Sequence, residues 1–339
     1  MSTAPRPVAS PAGSGAVPSG LGPRGGIHEI TAGPYRAVVC EVGATLNDLE
    51  VDGRPLILSS PLDAPMLVYR GALVAPWPNR IGDGRYTFDG EELQAALSEP
   101  ERGNALHGLL SFTPYARLDD GSDPASLTLG VELFPTTGYP FHLALRVTYA
   151  LDAELGLTTT VRAENVGRRD LPFGVCPHPY VVAGPGALDT WTLDLRAGTV
   201  LQVSPDRLLP VGMAAVEPGG DLDFAGGRVI GETFLDHAFT DLERTGADGT
   251  EPDGAGTDEA GTARVAVTDP SGTGVEISFG PTSPWVQVHT GERPEPELHR
   301  KGLAVEPMTC PPDAFNSGTD LVRLEPGAAF ETAWRIRGL

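Results

Sequence analysis

The sequence is poor in cysteine and in positive charge, and it has no long apolar run. Its three cysteines, Cys40, Cys176 and Cys310, are odd in number and far apart, which argues against a disulfide framework and favours a reducing cytoplasm. The formal net charge is −21, and a surface this acidic repels phosphate backbones, so nucleic acid is not an expected partner. No apolar stretch is long enough to cross a bilayer, so no membrane partner is expected.

Two segments have compositions unsuited to a packed core. Residues 1–26 are rich in Pro, Ala, Gly and Ser and have no apolar central run, which predicts a disordered tail and not a signal peptide. Residues 245–262 consist almost wholly of Gly, Ala, Asp, Glu and Thr, which predicts an exposed, mobile hairpin insertion. The insertion lies between strands, so residues 27–339 are predicted to form a single domain.

The remaining chain shows the two-residue period of β-strands. Residues 141–151 place Leu143, Leu145 and Val147 on one face, and similar alternation recurs along the chain. Helical periodicity is poor, and the 43 glycines and 33 prolines suit many turns. These patterns predict an all-β fold, a large antiparallel β-sandwich (a supersandwich) with few short helices.

Two loop clusters present polar side chains from constrained backbone. Pro76 and Pro78 make the approach to Asn79 and Arg80 rigid, and Arg80 offers a planar fork of donors that stays charged. The alternative for Arg80 is an ion pair with a structural carboxylate. His107 follows in Asn104-Ala105-Leu106-His107-Gly108, whose glycine allows close approach of another group; the alternative is a loop histidine bonded to backbone.

Two further residues have the chemistry of an acid and a base. His178 is flanked by Pro177 and Pro179, which excludes a helix and predicts a stiff, extended segment at a strand end. Glu306 is predicted to end an apolar strand just before Pro307, where poor solvation would tune its pKa for a base. The alternatives are a structural histidine and a strand-end glutamate in a salt bridge.

Asp236 and Gln287 are candidate ligand-binding residues. Asp236 precedes a short apolar alternation and could accept hydrogen bonds from a ligand, the alternative being a solvated turn carboxylate. Gln287 shares a strand face with Trp285 and His289, and an aromatic ring beside an amide suits a ligand-facing surface. The alternative is an edge strand with a partly exposed Trp285. Whether Trp285 or His289 touches a ligand is left open.

In this order, the clusters resemble the aldose 1-epimerase (galactose mutarotase) family over about residues 27–339. Each motif is weak alone, and their joint order is specific. The resemblance is carried by Asn79-Arg80-Ile81, Asn104 with His107-Gly108, His178-Pro179-Tyr180, Asp236-His237 with Phe239, Gln287, and Glu306 with Pro312-Asp313-Ala314-Phe315-Asn316. It implies a supersandwich with an open cleft, no cofactor, and interconversion of the α and β anomers of a free aldose.

The resemblance also implies roles for the site residues. Glu306 would remove the proton of the anomeric hydroxyl, and protonated His178 would donate to the ring oxygen, on opposite sides of the sugar. Arg80 and His107 would hold the ring-oxygen side. The hydroxyl-binding residues would be Asn79, Asp236 and Gln287. The implied partner is a small sugar, and the implied state is a monomer or homodimer.

Departures from the family pattern keep the preferred sugar open. Cys-Pro-His-Pro-Tyr surrounds His178 where better-known members have Asn-His-Ser-Tyr, and Leu109 stands where they often have a second glycine. The sequence therefore predicts a glucose- or galactose-type hexose without choosing between them. A hexose-6-phosphate 1-epimerase ranks lower because these motifs add no Arg/Lys cluster.

Two rival interpretations use the same residues differently. A non-catalytic carbohydrate-binding protein on this fold would need neither Glu306 nor His178. A zinc site would use Cys176, His178, Cys310 and His107, but neither CxxC nor HxxxH spacing supports it, so no metal is predicted.

Overall fold

The computed structural model describes residues 21–245 and 261–339, and these form β-strands almost throughout. The strands up to residue 106 are β1 (Ile27–Ala32), β2 (Tyr35–Cys40), β3 (Thr45–Val51), β4 (Arg54–Pro55), β5 (Leu73–Val74), β6 (Arg80–Gly82), β7 (Arg85–Phe88), β8 (Glu91–Gln94) and β9 (Asn104–Leu106). The next are β10 (Ala116–Arg117), β11 (Ser126–Leu133), β12 (Leu143–Asp152), β13 (Gly156–Asn165), β14 (Leu171–Phe173), β15 (Cys176–Pro177), β16 (Tyr180–Val181), β17 (Thr192–Leu195), β18 (Ala197–Val203) and β19 (Pro210–Ala215).

The C-terminal part of the chain continues in the same way. Its strands are β20 (Phe224–Val229), β21 (Asp236–Leu242), β22 (Ala263–Thr268), β23 (Gly274–Phe279), β24 (Trp285–His289), β25 (Leu303–Met308), β26 (Val322–Leu324) and β27 (Ala329–Gly338). The described helices are short: a 3-10 turn at Leu188–Thr190 and α1 at Ala314–Ser317.

Three sheets make up most of the architecture. A nine-stranded sheet has the order β10-β11-β12-β13-β27-β23-β22-β17-β20, a six-stranded sheet has the order β16-β25-β24-β21-β18-β19, and β1 to β4 form a meander. The pairings between these strands are antiparallel. The large sheets share one hydrophobic cluster, which includes Val161 and Ile277 from one sheet and Val286 and Val305 from the other. The predicted all-β supersandwich with few short helices is confirmed.

Alternation of side chains explains why these segments pair. In β12 the buried positions Leu143, Leu145, Val147, Tyr149 and Leu151 alternate with more exposed ones, as predicted for a strand with one buried face. A shift of register by one residue would turn this apolar row to solvent, so burial fixes the pairing.

The six-stranded sheet has one apolar and one polar face. Val286, Val288 and Val305 point into the shared core, so the residues between them point the other way. Gln287 stands directly opposite Glu306 in the pairing of β24 with β25. The fold thus brings polar side chains that are distant in sequence onto one sheet face.

The last residues of the predicted N-terminal tail, residues 1–26, contact the domain. Arg24 is fully buried and donates from Nη2 to Asn47 Oδ1 at 2.9 Å, so residues 21–26 pack against the domain. Residues 1–20 lie outside the described residues. So do residues 246–260 of the predicted insertion, whose flanking residues Thr245 and Thr262 are joined by a backbone hydrogen bond of 2.9 Å.

The three cysteines are buried and free. None of the helices in the described ranges has the length and apolarity that a membrane span requires.

Candidate active site

An open cleft of about 680 Å³ lies over the polar face of the six-stranded sheet. Its volume is in the range of sites that hold small molecules. All seven residues predicted from the sequence line it: Asn79, Arg80, His107, His178, Asp236, Gln287 and Glu306. They come from three strands of the sheet and from loops that cover it.

The sheet supplies Asp236, Gln287 and Glu306. Gln287 Nε2 donates to Asp236 Oδ1 at 2.6 Å, and this bond fixes both side chains across neighbouring strands. Gln287 Oε1 is buried and has no partner among the described residues, so an acceptor faces the cleft unpaired. A buried polar atom of this kind favours a ligand that brings donors, such as a hydroxyl-rich molecule.

Arg80 is held by a carboxylate that the sequence does not mark. Its Nε and Nη2 donate to Glu99 Oε2 and Oε1 at 2.8 and 2.9 Å, and Nη1 reaches Asn79 Oδ1 at 3.2 Å. Although burial lowers the pKa of Arg80, its hydrogen bonds to Glu99 raise it overall. Burial alone would raise the pKa of Glu99, but bonds from Arg80 and Asn104 bring it below the usual range. Arg80 therefore forms the structural ion pair that was the alternative for it, with Glu99, and it also lines the cleft.

His107 is placed by an unusual backbone. Its φ is 58°, its N–H donates to Asn79 O at 2.8 Å, and Gly108 behind it packs on Ala75. Its ring meets that of His178 edge-to-face, with centroids 5.1 Å apart. Burial lowers the pKa of His107 well below its usual range, and any positive charge on the neighbouring His178 would lower it further, so the imidazole of His107 is neutral.

His178 and Glu306 are in direct contact. His178 lies between β15 and β16, and its Nε2 is 3.4 Å from Glu306 Oε1, with the two side chains 6% and 3% exposed. Burial is the main cause that lowers the pKa of His178 to about 3, and the charge of His289 also lowers it. Burial raises the pKa of Glu306 well above its usual range, and the charge of Asp236 adds to this.

The geometry of this pair bears on its proposed roles. The resemblance implies an acid and a base on opposite sides of the sugar, and in the cleft the two side chains are direct neighbours. The shifts favour a neutral imidazole on His178, and a proton shared by the pair favours Glu306 over His178. Burial in low dielectric, which disfavours both charged forms, is the physical reason.

Glu306 also sits differently within its strand. The sequence predicts a strand end before Pro307, whereas β25 runs on through Pro307 to Met308. The N–H groups of Val305 and Thr309, on either side of Pro307, donate to Pro179 O and Val175 O, so the strand stays paired around the proline. Glu306 is thereby held within a strand, which is more rigid than a loop junction.

The cleft includes residues that the motifs did not mark. Tyr69 packs on the ring of His107 at 4.6 Å between centroids, and His289 and Arg293 also line the cleft. Trp285 does not line it: its indole N–H donates to Asp320 Oδ2 at 2.7 Å, and β24 is an interior strand. A left-handed residue such as Tyr69 gives no periodic signal, so sequence patterns do not reveal it.

The zinc alternative finds no support in this geometry. Within residues 21–245 and 261–339, no group of three or more His, Cys, Asp and Glu side chains is placed to hold a metal ion. Cys176, His178, Cys310 and His107 thus do not converge as ligands.

Comparison with known proteins shows the family. The aldose 1-epimerase family model matches residues 27–337. The chain is 34% identical to the uncharacterised protein YihR of Escherichia coli over 309 residues, 91% of this chain and 92% of that one. It is 26% identical to galactose mutarotase of Sus scrofa, with 79% of this chain and 78% of the relative covered.

Solved structures show the same fold. A GalM/aldose epimerase homologue from C. elegans superposes with a TM-score of 0.77 at 20% identity, covering 93% of this chain and 99% of that one. A putative aldose 1-epimerase from Escherichia coli gives 0.75 at 20% identity, with the same coverage. The chain therefore belongs to the aldose 1-epimerase family and is an isomerase of the mutarotase type.

Proposed function

We propose that this protein interconverts the α and β anomers of a free hexose by acid/base ring opening and closure. The contact of His178 Nε2 with Glu306 Oε1, at 3.4 Å inside a cleft lined by hydroxyl-binding groups, carries the proposal. The reaction needs one group that takes a proton from the anomeric hydroxyl and one that gives a proton to the ring oxygen.

The exchange requires one proton on the pair. In the reactive form this proton lies on His178, reached by transfer from Glu306, where the shifts favour it. Glu306 then takes the proton of the anomeric O–H while His178 donates to the ring oxygen, so the C1–O5 bond breaks and a C1=O1 carbonyl forms. Rotation about C1–C2 presents the other carbonyl face, and the same steps in reverse close the ring.

The closeness of the two groups suits the substrate. The anomeric oxygen and the ring oxygen are bonded to the same carbon, so an acid and a base that serve them must also be neighbours. With the two groups this close, the reacting atoms would meet without large movements.

The other cleft residues divide into two roles. Arg80, held by Glu99, and neutral His107 would donate to the ring-oxygen side, where negative charge develops. Asn79, Asp236 and Gln287 would bind hydroxyls. The unpaired Oε1 of Gln287 supports this role, since it can accept a hydrogen bond from a sugar hydroxyl.

The test is a panel of freshly dissolved sugars followed by polarimetry or anomer-resolved NMR. We expect the protein to accelerate the approach to anomeric equilibrium of α-D-glucose, α-D-galactose or both, far above the buffer rate. A wild-type protein that leaves every aldose of the panel at the buffer rate would overturn the proposal and favour a non-catalytic sugar-binding protein.

One observation favours a second candidate, a hexose-6-phosphate 1-epimerase. Arg293 lines the cleft, and within the described residues no carboxylate lies within salt-bridge distance of its side chain. Glucose 6-phosphate therefore belongs in the panel. A kcat/KM for it well above that for glucose would select this candidate, and the reverse ranking would select the free hexose.

We further propose a cytoplasmic location and a monomer or homodimer. The location is supported by the three buried, free cysteines, which need no oxidising compartment.

A further inference from the structure

We propose that Cys176 is a positioning residue, whose thiol donates to Glu306 Oε2 and holds the carboxylate in its reactive orientation. The inference rests on the proposed function of Glu306 as the base. Cys176 is not proposed to touch the substrate. It acts only through the carboxyl group of Glu306, to which its thiol donates.

The two oxygens of Glu306 have different neighbours. Oε1 faces His178 Nε2 at 3.4 Å, and Oε2 faces Cys176 Sγ at 3.8 Å, within hydrogen-bonding distance for sulfur. In the part of the chain that the structure describes, the thiol is the one donor hydrogen-bonded to Oε2. If the thiol is removed, the carboxyl group loses its anchor on the side away from His178.

The thiol is itself fixed and kept dry. Cys176 is fully buried in β15, which pairs with β5 through Val74. It belongs to a small apolar cluster beside the main core, with Val74, Leu201, Ala238, Trp285 and Met308. These side chains exclude water, so no solvent donor can take the place of the S–H group at Oε2.

A thiol suits the task because it is a weak donor. A base must be oriented without losing its basicity, and a strong donor to the charged form would depress the pKa of Glu306. The charged and titratable groups that interact with Glu306 are His178 from the β15–β16 connection, Cys176 from β15, Tyr180 from β16, Asp236 from β21 and Arg80 from β6. Burial is the main cause of the raised pKa of Glu306 and the charge of Asp236 adds to it, while the Cys176 hydrogen bond lowers this pKa.

The test compares Cys176→Ala and Cys176→Ser with Cys310→Ala. Cys310 is a matched control, because it is also a fully buried free cysteine but its side-chain hydrogen bond is with Thr309 and not with Glu306. In Cys176→Ala we expect kcat/KM for the best sugar to fall about three- to tenfold, the loss expected for one weak hydrogen bond to a charged group. Cys176→Ser, which restores a donor, should recover part of this loss, because its hydroxyl orients the carboxylate but, as a stronger donor, also lowers the basicity of Glu306.

A pH profile separates positioning from packing. Without the thiol the proton stays more firmly on Glu306, so the alkaline limb of kcat/KM should move to higher pH in Cys176→Ala and return in Cys176→Ser. The infrared band of the protonated Glu306 carboxyl, identified by its loss in Glu306→Gln, should persist to higher pH in Cys176→Ala. This second readout needs no turnover.

Equal effects of Cys176→Ala and Cys310→Ala, or an unmoved alkaline limb and infrared band, would overturn the inference. Failure of the proposed function gives a different result, because the wild-type protein would then show no catalysis at all.

Discussion

At the scale of single residues, Glu306 combines two properties that oppose each other in a folded protein. It is 2% exposed, yet its proposed work requires a negative charge. A buried carboxylate is costly unless it is paired, and its nearest partner, His178, is itself held neutral by burial. Some stability is therefore given up at neutral pH in exchange for a basic group, as is common at catalytic sites.

This conflict predicts that Glu306→Gln stabilises the protein at neutral pH. The folded-state pKa of Glu306 is raised above its unfolded value of about 4.3, so its contribution to stability is complete below about pH 4.3 and is lost as pH rises through the folded-state pKa. Glutamine resembles the protonated acid and carries no such loss. At pH 7.5 we expect the unfolding midpoint to rise by about 2 °C, with no gain at pH 4.

Differential scanning calorimetry at the two pH values checks this prediction. Glu92→Gln, on an exposed strand face, is the control and should leave the midpoint unchanged at both. A Glu306→Gln variant less stable than wild type at pH 7.5 would show that the buried charge is well compensated, against our account.

At the scale of elements, the tight packing of the loop after β9 onto the loop before β6 places His107. Gly108 has φ 67°, and a Cβ there would lie 2.1 Å from Ala75 O. Gly90 shares the left-handed conformation, with φ 79°, but a Cβ there would meet no atom within 4 Å. The two glycines therefore separate backbone strain from steric contact.

We expect Gly90→Ala to cost about 1–2 kcal/mol of unfolding free energy, the strain of a left-handed alanine, and to leave activity unchanged. Gly108→Ala should cost more and also lower kcat/KM, because Ala75 and His107 must move apart. Urea unfolding and sugar turnover measure both. Equal losses of stability in the two variants, with full activity in Gly108→Ala, would contradict the proposed placement of His107.

The strands were predictable from sequence because burial of one face imposes a two-residue period, as Leu143, Leu145 and Val147 show in β12. The motifs also led to all seven predicted residues of the cleft. The Glu99 clamp on Arg80 was not predictable, because it joins the start of β6 to the connection between β8 and β9 through a contact that no periodicity records. The Cys176 contact with Glu306 spans 130 residues and depends on how β15 crosses β25, which only the folded chain determines.

At the scale of the whole molecule, we propose that residues 27–339 form a single domain. One hydrophobic cluster includes residues from Ile30 in β1 to Ile336 in β27, and the N- and C-terminal strands share it. The polar face of the six-stranded sheet forms the floor of the cleft. The same sheet therefore packs against the hydrophobic core with one face and presents the candidate site residues with the other.

The Glu306–His178 pair is proposed as the acid and base of anomer exchange. The most direct test of this proposal is the exchange rate between the α and β anomers at equilibrium, measured by NMR magnetisation exchange with wild type and with Glu306→Gln at equal concentration. We predict clear exchange above buffer for wild type and a rate at least about a hundredfold lower for the variant, the contribution typical of a general base. A folded Glu306→Gln protein that exchanges the anomers as fast as wild type would contradict the central claim.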